Sequence, residues 1–163
     1  MRFTLVDLVT ELEPGARITT IKNVTLSEEY LDDHFPRFPV LPGVLMLEAM
    51  TQACAWLIRV TDDFSHSIVT LKEARNVKYA RFVKPGETLT IKAEMKKRQE
   101  RSSTFDVQGL VNGEVALTGK LALEYYNLAE TRPSMAQTDE ELIAKLRQQL
   151  ALKWRPANQP AMA

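Results

Sequence analysis

Apolar and polar positions alternate along ARITTIKNVTLS with β-branched enrichment, the pattern of a half-buried strand. An acidic stretch, EEYLDDHF, then leads into the proline-rich turn FPRFPVLPG. From Gly43 to about Arg59 the run GVLMLEAMTQACAWLIR is rich in helix formers and apolar on nearly every face, which describes a helix enclosed by protein. Strand-like runs follow: SIVTLKEARNVKYA, then ETLTIKAEMKKRQ after the turn signal KPGE, then STFDVQGLV, then EVALTGKLALEYY after the hairpin signal NG. One strand, a buried helix and about four antiparallel strands make an α+β layout in which a sheet wraps the helix.

Beyond Tyr126 the character changes. Residues 1–127 read as one domain, and the polar, proline-bearing stretch 128–137 reads as a linker. Thr138 and Glu141 form a Thr-x-x-Glu capping box, followed by Leu142, Ile143, Leu146, Leu150 and Trp154 at helical spacing, so residues 138–155 are expected to form an amphipathic C-terminal helix. Its apolar stripe must bury against something, most simply its own dimer. Residues 156–163 are expected to be a disordered tail.

The chain has 163 residues, 45% hydrophobic and 26% charged, enough for one well-packed domain and too few for two large ones. Twenty-one basic side chains balance twenty-one acidic ones, so net charge gives no reason to expect nucleic acid or a membrane as partner. No stretch approaches eighteen uninterrupted apolar residues, and the start carries no long apolar leader; the expected location is the cytoplasm. A single cysteine, Cys54, leaves no internal disulfide and no cysteine-rich zinc site.

Against this background Glu48 stands out. A carboxylate on so apolar a helix costs several kcal/mol if it stays charged and unpaired, so it should be protonated or hydrogen-bonded. Gln52, one turn on, can donate an amide hydrogen bond that orients it, and burial favours the acid form that gives up a proton. His34, one of two histidines, precedes Phe-Pro, which restricts the backbone and holds a base in defined geometry. Between them Pro42-Gly43 opens the helix, where backbone N–H groups lack intrahelical partners and the dipole is positive, a place to polarise a carbonyl. Each feature has a bland reading: a turn histidine, or a core carboxylate capped by an arginine.

As a unit, HFPxxPxxPGVLxxEAMxQ from His34 to Gln52 closely resembles the signature of the beta-hydroxyacyl-[acyl-carrier-protein] dehydratases of fatty acid synthesis. NVKYARFVKPGETL resembles the family's segment before its Pro-Gly-Asp turn, VNGEVAL fits its hairpin, and the likeness spans about residues 3 to 126. The resemblance implies the hot-dog fold, a long central helix wrapped by a curved antiparallel sheet. It also implies a homodimer with sites in a tunnel at the interface, each taking the histidine of one subunit and the glutamate of the other, often assembled further as a trimer of dimers. A monomer would be inactive. By carry-over, His34 removes the α proton of a (3R)-hydroxyacyl thioester and Glu48 protonates the departing hydroxyl, giving a trans-2-enoyl thioester. Gly43, with Val44 beside it, offers backbone N–H to the carbonyl, and Gln52 orients Glu48. No metal or organic cofactor is implied; the substrate rides on the phosphopantetheine of acyl carrier protein.

This sequence departs from the family where glycine commonly follows His-Phe-Pro: Arg37 stands there, with the bulky Phe38 next to it. Arg37 implies either a different local path or a side chain turned toward solvent or the tunnel mouth. Residues 72–101 hold ten basic and four acidic side chains. Lys78, Arg81 and Lys84 in that segment could meet an acidic carrier, although alternation puts only about half of the basic residues on any one strand face. The alternatives are a hot-dog acyl-thioesterase, which generally lacks the His-Phe-Pro element, an isomerising dehydratase, which typically has aspartate at Glu48, and a non-catalytic acyl-binding paralogue.

Overall fold

The computed structural model describes residues 4–35 and 37–154. The chain runs β1 (Leu8–Glu13), β2 (Arg17–Asn23), a one-turn α1 (Tyr30–Asp33), the long α2 (Gly43–Thr61), β3 (Ile68–Tyr79), β4 (Thr88–Arg98), β5 (Ser102–Val111) and β6 (Glu114–Tyr126). Two single 3-10 turns, Leu128–Glu130 and Pro133–Met135, feed α3 (Ala136–Lys153). The six strands form one antiparallel sheet in the order β1-β2-β4-β5-β6-β3. This is the expected α+β arrangement, a curved sheet around α2 with a further C-terminal helix.

Strand alternation builds the core. Ile18 of β2, Leu89, Ile91 and Ala93 of β4, Phe105 and Val107 of β5, and Leu117, Leu121 and Leu123 of β6 face inward and are buried. They close on Met46, Ala49, Met50, Ala53, Leu57 and Ile58 of α2. By length and composition α2 could cross a bilayer, but its burial inside the sheet marks it as a core helix. It extends two residues beyond the expected end because Thr61 Oγ1 caps the Leu57 carbonyl and also accepts from Gly15 N–H at 2.8 Å.

The first strand of the sheet escaped the sequence reading, which counted five strands. LVTELE pairs with β2 across a turn at Pro14-Gly15, where Gly15 takes φ 75°. Its alternation is masked because Glu11 and Glu13 face solvent while Leu12 is half-buried, and the ladder shifts register between Val9 and Glu11.

β3 forms the other edge of the sheet, and none of its twelve residues is buried. Beside it the start of α2 is also open: Val44 is 72% exposed, and Leu45, Leu47 and Glu48 are half-buried. The expectation of a helix enclosed on every side, with Glu48 buried, therefore fails within one chain. The sheet packs on the helix through β2, β4, β5, β6 and β3 and leaves part of the helix's first turns open.

α3 packs on its own chain. Ile143, Leu146, Leu150 and Trp154 lie against the core, so the stripe read from sequence is the docked face. The helix begins at Ala136, ahead of Thr138, because the turn at Pro133 runs straight into it; the capping box forms instead at Asn127 and Glu130. The expected linker is thus folded into turns. Residue 155 of the expected helix and the tail 156–163 lie outside the described residues.

The anchor of α3 is Asp139, 6% exposed, which accepts from Ser67 Oγ, from Leu128 N–H at 3.0 Å and from Ala129 N–H at 2.8 Å. Burial pushes its carboxyl up, but the Ser67 hydroxyl and the two backbone donors outweigh burial and hold it below the ordinary aspartate value. The folded chain then binds fewer protons here than the unfolded one. The anchor is fully present above the unfolded value of about 3.9 and is lost as pH falls through the lower folded value. The Leu128 and Ala129 amide resonances should stay fixed from neutral pH down to about 4 and move together below it. Asp139→Asn should abolish that concerted shift.

Candidate active site

The acidic stretch before the prolines ends in α1, which stops at Asp33 and delivers His34 at an extended backbone position. Phe35 follows at φ 53°, and its carbonyl accepts from Phe38 N–H at 2.7 Å, closing the turn. A non-glycine residue in the left-handed region costs of order 1–3 kcal/mol and persists where its surroundings dictate it. Here the Phe35 ring lies against the His34 ring, 4.5 Å between centroids. Arg37 is exposed.

Pro42 caps α2, its carbonyl accepting from Leu45 N–H at 2.9 Å and Met46 N–H at 3.0 Å. The N–H groups of Gly43 and Val44 stand ahead of these first helical bonds. Gly43 is packed under Tyr79: a Cβ there would come within 3.1 Å of the Tyr79 ring. His34 and Gly43 line one cavity of about 270 Å³, closed by Val40, Leu41, Met46, Tyr79 and Phe82. Tyr79 and Phe82 were not picked out from sequence as site residues. The signal was present in NVKYARF, whose alternation sends Tyr79 to the face opposite Lys78.

Glu48 does not line this cavity. It lies further along α2, where Gln52 Nε2 donates to its Oε1 at 2.9 Å. Gln52 Oε1 in turn accepts from Leu5 N–H at 2.9 Å. The expected Glu48–Gln52 contact is therefore made, with a further member, Leu5, that residue spacing does not reveal. One chain brings His34 and Gly43 together and leaves Glu48 outside their cavity, on the half-open flank of α2.

The three cations considered for carrier docking separate. Lys84 Nζ sits 5.2 Å over the Phe38 ring, which meets Phe82 edge-on at 5.7 Å beside the cavity. Arg81 also borders the cavity, but its guanidinium is engaged by Glu87 at 2.7 Å and Glu114 at 2.9 Å. Lys78 points to the outer face of the sheet, into a broad polar groove.

A hot-dog domain carrying this cavity defines a class with known members. The family model of the FabA-like domain matches residues 1–120. The 3-hydroxyacyl-[acyl-carrier-protein] dehydratase FabZ of Clostridioides difficile is 36% identical over 119 residues, 73% of this chain and 84% of its own length. That of Variovorax paradoxus is 40% identical over 124 residues, 73% of this chain and 81% of its own. Among solved structures, the dehydratase heterocomplex ApeI:P from Xenorhabdus doucetiae superposes with a TM-score of 0.66 at 20% identity, over 82% of this chain and 90% of that one, a likeness of fold. The chain belongs to the FabA-like family.

Proposed function

We propose that the protein dehydrates (3R)-hydroxyacyl-[acyl-carrier-protein] to the trans-2-enoyl thioester in fatty acid or related lipid synthesis, and that it works as a homodimer in the cytoplasm. The observation that carries the reading is the pairing of His34 with the α2 N-terminus around one cavity, in a chain whose relatives bear the dehydratase name.

In this mechanism the thioester carbonyl faces Gly43 N–H, with Val44 beside it, so the negative charge that builds on the oxygen meets a fixed dipole. The His34 imidazole takes the α proton. The electron pair left behind forms the Cα–Cβ double bond as the β-hydroxyl departs, carrying the proton of Glu48 away as water. Gln52 holds the Glu48 carboxyl in place. Water loss from a β-hydroxy thioester asks for an acid, a base and a carbonyl stabiliser, and no metal or organic cofactor enters these steps.

Glu48 lies off the His34 cavity, so this chemistry needs the glutamate of a second chain. Two features support a dimer that supplies it: the unpaired twelve-residue edge of β3, and the start of α2, where Val44 is exposed and Leu45 and Leu47 are half-buried. Assembly of three such dimers is the further step that the family resemblance implies. Lys84, free of carboxylate partners among the described residues and seated by the cavity, is the best placed of the three cations to meet an acidic carrier.

The test is to incubate the protein with beta-hydroxyacyl carrier-protein thioesters and follow the loss of one water by mass. Turnover that falls about 10²- to 10⁴-fold in His34→Ala is expected. A folded wild-type dimer that dehydrates neither carrier-protein nor coenzyme A thioesters at any chain length would overturn the reading in favour of an acyl-binding role.

A further inference from the structure

α3 lies beyond the residues matched by the family model, and the mechanism above assigns it nothing. Its ends show where it acts. At the start, Asp139 fastens it to Ser67 and the turn after β6. Midway, Arg147 donates to the Asp63 carboxylate at 3.0 Å and carbonyl at 2.6 Å and stacks over Phe64 at 4.6 Å, gripping the end of α2. At the far end Lys153 Nζ donates to the Val6 carbonyl, and Trp154 bridges to Val9 on the edge strand β1.

Val6 belongs to the segment 5–7, which is fully inside the molecule at Leu5 and Val6. Asp7 ties it to β2, through Asp7 N–H to Ile21 O at 2.9 Å and Asn23 N–H to the Asp7 carboxylate at 2.6 Å. Lys153 closes it from the other side. Next to Val6, Leu5 N–H donates to Gln52 Oε1, which turns the amide oxygen toward Leu5. With its oxygen facing Leu5, its NH₂ must face Glu48; a flipped amide would set acceptor against acceptor at Glu48 and donor against donor at Leu5.

We propose that α3 is a positioning element for Glu48, acting through Lys153, the segment 5–7 and Gln52. The proposal rests on the reading of Glu48 as the acid. The path is Lys153 Nζ to Val6 O, Leu5 N–H to Gln52 Oε1, and Gln52 Nε2 to Glu48 Oε1, with 2.9 Å at each of the last two contacts. Glu48 is half-buried on α2, and the Gln52 amide at the end of this path holds one of its carboxylate oxygens.

The test uses the full chain with Lys153→Met, Lys153→Arg and, as a control on the exposed face of α3, Lys145→Met. Lys153→Met should lower kcat about 3- to 10-fold with KM unchanged, and Lys153→Arg should restore most of it. In a Gln52→Leu background the same change should cost less than about 2-fold, because the path is already cut. Full multiplication of the two losses, or an effect on KM alone, overturns the proposal. Amide exchange at Leu5, read independently of turnover, should quicken in Lys153→Met and not in Lys145→Met. Unchanged Leu5 exchange overturns the proposal as well. A wild type that never dehydrates would refute the functional reading, and the exchange measurement would still decide the linkage.

Discussion

His34→Ala and Glu48→Gln chains, each almost inactive alone, should recover about a quarter of wild-type turnover when co-expressed in equal amounts. The expectation follows from where one chain puts the two residues: His34 and Gly43 share a cavity, and Glu48 lies outside it on the open flank of α2. If the acid comes from the partner, a mixed dimer has one site with an intact histidine from the Glu48→Gln chain and an intact glutamate from the His34→Ala chain. Its other site carries both lesions. Random pairing makes half the dimers mixed, each with one working site of two. If a single chain supplied both groups, no mixed dimer would contain an intact site and nothing would be recovered. Native mass spectrometry of the mixture, beside the water-loss assay, separates absence of recovery from absence of mixing. Glutamine is the right replacement at Glu48, since it keeps the shape that Gln52 holds and removes the transferable proton.

Leu57→Ala should be the most damaging single change to stability, at about 2–5 kcal/mol. Leu57 has no exposed surface and lies in the last third of α2, inside the closed part of the sheet, where the surroundings cannot collapse into the space a leucine leaves. A domain of this size holds about 5–15 kcal/mol in total, so the loss would be a large share. Since each kcal/mol moves the melting temperature by roughly 2–4 °C in chains of this length, a fall of about 5–20 °C is expected in a thermal melt. Val44→Ala, on the exposed first turn of the same helix, should leave the isolated subunit's stability almost unchanged and act on association instead. Equal melting temperatures for Leu57→Ala and wild type would mean that α2 is not the packed centre of the fold.

Much of this arrangement is legible in the chain. The largely apolar run of α2 and the period-two strands after it point to a wrapped helix, because both patterns carry apolar surface that must be buried. His34, Pro42-Gly43, Glu48 and Gln52 stood out as candidates by residue type and spacing, and the family resemblance supplied the roles proposed for them. Gln52 is one turn from Glu48, and the helix makes their contact inevitable. β1 was missed since its outward glutamates break the apolar signal, and the start of α3 was displaced since Pro133 initiates a turn that flows into the helix.

The information carried by the chain alone is therefore local: element type, the helix start at Pro42-Gly43, and pairs joined by one helical turn. Contacts between distant segments needed the tertiary structure. Leu5 meets Gln52 across 47 residues and Lys153 meets Val6 across 147, and no periodicity encodes which backbone group a side chain reaches once sheet and helices are packed. The same holds for the separation of Glu48 from the His34 cavity. Spacing placed both residues on one short stretch, and the folded chain gathered His34 with Gly43 at one cavity and left Glu48 outside it.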